Sequence, residues 1–221
     1  PATIYAKKEI DRLKATGELG PLRYVRITMP AGDWIAAGFV DLIRSKEEIP
    51  SLDVDPRPPD MDEKAFKAYV LFVNYYIHQV NLLRHLLGEP YKVTFADKGG
   101  VLLAAESVTG VTGIIEMSPY CTTVDWQESA LVAFKNGYVK LDLPAPLAAN
   151  RPGRVEILRD PKQGVTPETC VPQLPWVHAM RQQAANFIKA VKGEAEPTCT
   201  AEEALEDLKV ARDYMRLKEG R

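Results

Sequence analysis

The sequence predicts an α+β fold: one open, mostly antiparallel sheet with helices packed on one face and the other face available for self-association. From Tyr91 to Leu143, apolar and polar residues alternate in short runs separated by glycine turns. This pattern is typical of consecutive strands joined as hairpins. On both sides of this stretch the apolar residues recur with the period of a helix, most clearly from Lys67 to Gly88. A sheet covered on one face needs a partner for the other, so we expect a homo-oligomer.

The N-terminal part predicts one helix and one strand before an irregular region. Ile4 to Thr16 has the apolar spacing of a short amphipathic helix, and Gly17 suits its end because glycine adopts the left-handed conformation at little cost. Leu22 to Met29 alternates as a half-buried strand. Residues 30–60 are expected to form a surface excursion, which either includes a lid or is a simple insertion. A helical piece is predicted within it from Trp34 to Arg44.

The central helix is the segment around which the rest is organised. Asp60 and Glu63 resemble a capping box at its start, and Gly88 ends it. Its apolar flanks, which include Val70 and Leu71, predict that the helix is buried. Four polar residues at spacings of four, three and four fall on one stripe of it: Asn74, His78, Asn81 and His85. Buried polar groups need partners, so the stripe is either a hydrogen-bond network or one wall of a polar pocket.

The remaining elements follow from period and turn signals. The asparagine–glycine pair at Asn136 is the strongest hairpin signal, and Pro161 to Pro175 is expected to be a loop. The predicted strands are Lys92–Phe95, Val101–Glu106, Thr112–Met117, Glu128–Phe134, Tyr138–Leu143 and an edge strand, Val155–Leu158. Two helices close the chain, from Trp176 to Lys192 and, after a capping box at Thr200, from Ala201 to Leu217. Their predicted inward residues are Ala184, Phe187, Ile188 and Val191, and then Ala204, Leu205, Leu208, Ala211 and Met215.

Composition excludes several classes of function. The 221 residues carry 28 basic and 30 acidic side chains, so no excess of positive charge favours nucleic acid or an anionic membrane. No apolar run approaches the roughly 18 residues of a membrane span. The three cysteines have neither a metal spacing nor a disulfide framework, so we expect no metal and a cytoplasmic location. The chain starts at Pro1 without an initiator methionine, and we expect that a segment preceded it.

Three motifs, in this order, resemble the C-terminal domain of the Gfo/Idh/MocA family, named for glucose–fructose oxidoreductase, inositol dehydrogenase and a rhizopine-catabolism protein. The run Gly17-Glu18-Leu19-Gly20-Pro21-Leu22 is similar to the family's Gly-x-Ile-Gly-x-Ile turn. His78-x-x-Asn81, followed by Leu86-Leu87-Gly88, resembles its Asp-x-Gly-x-His-x-x-Asp signature and leucine-rich turn. Phe187 to Leu217 is similar to its closing helical pair.

The resemblance implies that residues 1–221 are a single substrate-binding and oligomerisation domain. The N-terminal Rossmann domain of such enzymes binds NAD or NADP and carries the catalytic lysine. This chain has no Gly-x-Gly-x-x-Gly phosphate loop, so we expect no cofactor-binding residues in it and no activity of the chain alone. The implied parent is an NAD(P)-dependent oxidoreductase that acts on a sugar, a polyol or a related hydroxy compound.

The resemblance also assigns roles to residues of the central helix. His78 falls at the family's histidine, which takes the hydroxyl proton as hydride departs, a task that suits an imidazole near neutral pH. Asn74, Tyr76 and Asn81 replace the family's first Asp, its Gly and its second Asp. An amide orients a ring or a hydroxyl but supplies no charge, so we expect His78 to hold its proton less tightly than in relatives with Asp. We therefore predict His78 and Asn74 as catalytic and Asn81 as substrate-binding.

Other candidates and other functions stay open at this stage. Arg84 could clamp an anionic substrate group or form a salt bridge, and His178 heads a helix that could approach the pocket. His85 lies about 10.5 Å along the helix from His78 and is assigned a structural role. The alternative function is a non-catalytic ligand-binding or assembly module with the same fold. A sugar hydrolase is a third, which would need paired carboxylates.

Overall fold

The computed structural model describes residues 1–37, 45–52 and 56–220. The described helices are α1 (Ala2–Thr16), α2 (Glu63–Leu87), α3 (Ala179–Val191) and α4 (Ala201–Lys218). The described strands are β1 (Leu22–Ala31), β2 (Tyr91–Ala96), β3 (Leu102–Ser107), β4 (Thr112–Cys121), β5 (Ser129–Phe134), β6 (Gly137–Asp142), β7 (Arg154–Arg159) and β8 (Glu168–Cys170). The predicted α+β class is confirmed.

The eight described strands form one sheet in the order β2-β3-β4-β1-β5-β6-β7-β8. Strand β1 pairs in parallel with β4 and antiparallel with β5, and every other described pair is antiparallel. The predicted sheet is thus correct in kind, but the prediction that its strands follow one another as hairpins is wrong at one place, because β1 lies between β4 and β5. The predicted loop from Pro161 to Pro175 also contains a short strand, β8.

Gly32 permits the loop between β4 and β5 to cross the end of β1. A Cβ atom at this position would lie 2.2 Å from the carbonyl oxygen of Asp125, a distance that no side chain tolerates. The neighbouring Asp33 N–H donates to that same carbonyl at 3.0 Å. The crossing therefore depends on the absence of a side chain at residue 32.

The core lies on one face of the sheet, under three helices. Along β1, Val25, Ile27 and Met29 are buried, whereas the alternate residues Arg26 and Thr28 point to the other face and are not. Helix α1 packs on β6 and β7, α2 on β1 and β4, and α4 on α2 and β2. The open face carries a mixed central row across six strands: Ala104, Ile114, Arg26, Leu131, Lys140 and Glu156.

The caps of α2 and α4 confirm the sequence prediction at two helix ends and correct it at a third. The Asp62 carboxylate accepts the Ala65 N–H at 2.8 Å, so α2 begins after Asp62 and not at Asp60. Asp60 instead forms an ion pair with Arg212 of α4. The capping box at Thr200 is confirmed in both directions, and Gly88 ends α2 with φ at 72°.

The predicted inward faces of the last two helices are wrong in part. No residue of α3 is buried against the described parts of the chain, and Phe187 and Val191 are 70% and 72% exposed. Helix α4 buries Ala211 and Met215 as predicted, but Leu205 is 53% exposed. Asp207 is buried in α4 instead. Period shows that a helix has an apolar stripe, but the neighbour that covers the stripe is set by the tertiary fold.

The described parts of residues 30–60 beyond the end of β1 contain no helix or strand. Trp34 to Ala37 forms a turn, and residues 45–52 are exposed. The rest of the predicted helix from Trp34 to Arg44 falls on residues 38–44, which lie outside the described residues.

None of the described helices combines the length and the apolar character that a bilayer span requires.

Candidate functional site

Helix α2 presents His78 and Asn74 to the surface. Its opposite side packs on β1 and β4, so the two polar residues fall on the side that the sheet leaves uncovered. Leu71 and Tyr75, next to them on the helix surface, are 58% and 63% exposed. The prediction that the apolar flanks are buried is therefore wrong for this part of α2. The result is an accessible imidazole surrounded by apolar and aromatic surface.

A groove of about 370 Å³ runs between α2 and α4 beside His78. Its lining combines the imidazole of His78, the amide of Asn81, a thiol and a carboxylate with apolar side chains. The lining residues are Ile77, His78, Asn81, Cys199, Ala204, Asp207 and Leu208. Volumes of this order hold small molecules, and a few polar groups in an apolar wall orient them.

The buried carboxylate of Asp207 holds one wall of the groove. It accepts the Asn81 side-chain N–H at 2.7 Å and the Arg84 Nε–H at 2.8 Å. The side chain of Asp207 is only 3% exposed, and the Arg84 guanidinium also lies over the ring of Tyr91. The positive charge of Arg84 is thereby balanced by Asp207. Asn81 lines the groove with its amide already bonded to Asp207, and its role in substrate binding stays a prediction.

The structure separates the predicted residues into two groups. His78 and Asn81 line the same groove, and Asn74 lies one helical turn before His78 on the exposed side of α2. His178 caps the start of α3 and is not among the described lining residues of this groove. Its Nδ1 atom is buried without a hydrogen-bond partner among the described residues.

Sequence reasoning missed a buried carboxyl close to the turn that carries His78. Glu128 precedes β5 and is 8% exposed. Its Oε1 atom accepts the side-chain N–H of Gln79 at 2.7 Å, and its Oε2 atom accepts the indole N–H of Trp126 at 3.2 Å. Burial raises the pKa of Glu128, while the two donors and the charge of His78 act to lower it.

Tyr76 is a second feature whose structural role was missed. Its hydroxyl and that of Ser118 are 2.8 Å apart, a hydrogen bond that joins α2 to β4 two residues before His78 in the chain. Ser118 has φ at 45°, in the left-handed region that non-glycine residues rarely adopt. The Tyr76 side chain thus fixes the helix against the sheet.

Two further titratable groups near α2 have structural explanations. Burial, and then the charge of Lys7, lower the pKa of His85, which suits a neutral histidine between α1 and α2. Burial raises the pKa of the Cys199 thiol, so the groove does not activate it as a nucleophile. Among the described residues, no group of three histidine, cysteine or acidic side chains could hold a metal ion.

Both missed acids carry a signal in the sequence. Glu128 stands in the same alternating register as Ala130, Val132 and Phe134, which point to the core. Asp207 is four residues before the buried Ala211 on the core face of α4. An acid at an inward position needs a partner, and that rule would have identified both.

Comparisons with known proteins place the fold among oxidoreductases. No protein-family model matches the chain, and no curated protein matches its sequence significantly. Among solved structures, a predicted NADPH-dependent oxidoreductase from Desulfitobacterium hafniense matches 97% of this chain and 60% of its own, with a TM-score of 0.64 and 12% identity. A predicted myo-inositol dehydrogenase from Sinorhizobium meliloti matches 100% of this chain and 61% of its own, with a TM-score of 0.56 and 20% identity.

KijD10, a 3-ketoreductase from Actinomadura kijaniata solved with NADP, is also similar, with a TM-score of 0.55 and 13% identity over 97% of this chain and 56% of its own. The chain therefore has an α+β fold that these oxidoreductases also contain. More specifically, the fold is that of Gfo/Idh/MocA-type oxidoreductases, and the resemblance noted in the sequence is confirmed at the level of fold. The chain spans less than two thirds of the length of these similar chains.

Proposed function

We propose that this chain is the substrate-binding and oligomerisation half of a cytoplasmic NAD(P)-dependent oxidoreductase that acts on a sugar, a polyol or a related hydroxy compound. The observation that carries the proposal is the exposed imidazole of His78 on the groove between α2 and α4, in the fold of such enzymes. The lengths of the similar chains support a separate nucleotide-binding half in the parent.

The groups of this chain are suited to hold a hydroxyl and to move its proton. In this proposal the imidazole of His78 accepts the hydroxyl proton when the alcohol is oxidised and returns it in the reverse direction. Asn74 and Asn81 orient hydroxyl groups through amides that both donate and accept hydrogen bonds. Bound NAD(P) supplies the hydride acceptor. The exposed Leu71 and Tyr75 are apolar surface that the nucleotide-binding half would cover, which would exclude water from His78.

The open face of the sheet supports the oligomeric part of the proposal. Helices cover one face, and the other presents Ile114 and Leu131 with Ala104 on neighbouring strands. Charged residues of both signs, including Arg26 and Glu156, lie in the same row. A face of this mixed kind suits an isologous contact with a second copy, in which each charge can meet its opposite.

A non-catalytic binding or assembly module is the second candidate, and one observation favours it. The Asn81 amide, at the position of the family's second Asp, is already bonded to Asp207 and Cys199. Asn74 supplies no charge next to His78. A domain that had lost catalysis would keep the groove and its neighbours while its acids changed to amides.

The deciding experiment is steady-state kinetics of the full-length parent on a panel of sugars and polyols, with NAD and with NADP. The variant H78A is expected to lower kcat/KM by roughly 10²- to 10⁴-fold, the usual contribution of a general base. The matched control is H85Q, which changes a histidine two turns along the same helix and is expected to retain activity.

The outcomes separate the two candidates. Equal loss in H78A and H85Q would point to a structural effect and remove His78 from the mechanism. A parent that binds a polyol but oxidises none, and reduces none of the corresponding ketones, would establish the module instead. The 221-residue chain alone is expected to show no tight NAD(P) binding by isothermal titration calorimetry.

A further inference from the structure

We propose that Glu128 is a positioning residue for His78: it ties the turn of α2 that carries His78 to the sheet and, when ionised, places near it the carboxylate charge that Asn74 lacks. This inference rests on the proposed role of His78 as the base. It adds to the site a residue that lies about fifty positions away in the sequence.

The tie is geometric. Gln79 follows His78 directly, and the residue is only 3% exposed. The 2.7 Å bond from this amide to Glu128 joins α2 to the start of β5, and the 3.2 Å bond from Trp126 holds the same carboxyl from the loop between β4 and β5. Two elements and one loop therefore meet at one carboxyl. Rotation or sliding of this turn of α2 would break a buried hydrogen bond, which is costly.

Glu128 and His78 also lie within range of a charge–charge interaction. Among the described residues, His78 is the charged group whose field reaches Glu128, and Gln79 and Trp126 are its neutral donors. On the groove side, the acid near His78 is Asp207, whose charge is balanced by Arg84. Of these two acids, Glu128 is the one that forms no salt bridge with a lysine or arginine among the described residues. An ionised Glu128 would stabilise the protonated imidazole that forms when the substrate hydroxyl gives up its proton.

The surroundings also fit a carboxyl that changes its protonation state. When Glu128 is ionised, the Gln79 N–H and the Trp126 N–H donate to its two oxygens. When it is protonated, the Gln79 amide can turn its Oε1 atom toward the new O–H. That oxygen is buried and has no donor among the described residues. The amide can therefore serve both forms of the acid.

The test is an NMR titration of the 221-residue chain that follows the His78 ring signals and the Glu128 side-chain carboxyl carbon. In E128Q, the His78 ring signals are expected to move and broaden at a fixed pH, because the turn of α2 that carries His78 loses its buried bond to the sheet. The matched control is E116Q, which removes a half-buried carboxylate from the other face of the sheet and is expected to leave the His78 ring signals unchanged.

The reciprocal variant guards against misfolding of E128Q. Because His78 is exposed, H78N is expected to fold, and loss of the favourable charge should raise the pKa of Glu128 further. Unchanged His78 ring signals in folded E128Q, or an unchanged Glu128 titration in H78N, would overturn the proposal. These readouts need no substrate or cofactor, so they stand even where the parent shows no dehydrogenase activity.

Discussion

Asp207 is the residue on which the wall of the groove depends. One buried carboxylate accepts hydrogen bonds from Asn81 and Arg84, both from α2, and thereby joins the helix of the proposed base to α4. Arg84 was predicted to bind substrate, and its ion pair with Asp207 gives it an alternative, structural role. If Arg84 were to engage a substrate anion, it would have to share or leave a partner within 2.8 Å.

The variant D207A is expected to lower the free energy of unfolding by about 3–5 kcal/mol, because Arg84 would keep a buried charge without its partner. E206A is the matched control: this neighbouring acid of α4 is exposed and pairs with Lys209 on the surface. The control should change stability by about 0.5 kcal/mol or less. Urea denaturation followed by circular dichroism measures both, and equal effects would show that the Asp207 network contributes little.

At this scale, helical spacing and a family signature led to the site predictions for His78 and Asn74, and their roles stay predictions. Sequence reasoning missed Glu128 and Asp207 because their partners are distant: Gln79 is 49 positions from Glu128, and Asn81 is 126 positions from Asp207. Periodicity treats an inward position as apolar. It does not identify the polar group on a neighbouring element that would bond to a buried acid.

Among the elements, α2 shows how a local signal can be placed two residues from its true position. Asp60 and Glu63 have the spacing of a capping box, yet Asp62 accepts the free N–H of Ala65. Asp60 is drawn instead to Arg212 of α4, a contact that sequence spacing cannot show. Thr200, which has no such competitor among the described contacts, caps α4 as predicted.

A pair of alanine variants tests this correction. D62A is expected to destabilise the chain by about 1 kcal/mol, since it removes the acceptor for a free helix N–H. D60A removes a partly exposed ion pair and is expected to cost less, about 0–1 kcal/mol. The free energies of unfolding of D62A and D60A, measured by thermal and urea denaturation, rank the two variants. A larger loss in D60A would restore the original assignment of the cap.

Helix α3 marks the limit of prediction for whole elements. Its apolar residues from Ala184 to Val191 were predicted to point inward, and this is wrong for the described structure, in which no residue of α3 is buried. The apolar stripe of α1 is buried at Ile10 and Leu13. The sequences of α1 and α3 look alike because an apolar stripe shows that a helix is amphipathic but not which neighbour covers the stripe.

For the molecule as a whole, the open face of the sheet leads to the prediction about assembly. The 221-residue chain is expected to sediment as a dimer or larger oligomer at micromolar concentration. L131K places a charge in the centre of the face and should shift it toward the monomer. V124K is the control, since Val124 is an exposed residue of the loop between β4 and β5. A monomeric wild-type chain would remove self-association from the proposed function.

The overall class could be predicted because alternation and turns are local, and the strands they predict are present. The place of β1 in the sheet could not be predicted, since β1 pairs with β4 across about 90 residues and with β5 across about 100. A parallel partner leaves no hairpin signal, and the glycine that permits the crossing, Gly32, stands in a stretch without period.

The central position of β1 makes an early segment indispensable to the late ones. Without Leu22–Ala31, β2-β3-β4 and β5-β6-β7-β8 would become two half-sheets joined by one loop. Each would expose a fresh row of unpaired backbone groups, the kind of edge that recruits strands from other molecules. Removal of residues 1–31, and β1 with them, should therefore yield insoluble aggregates and not a smaller, soluble domain.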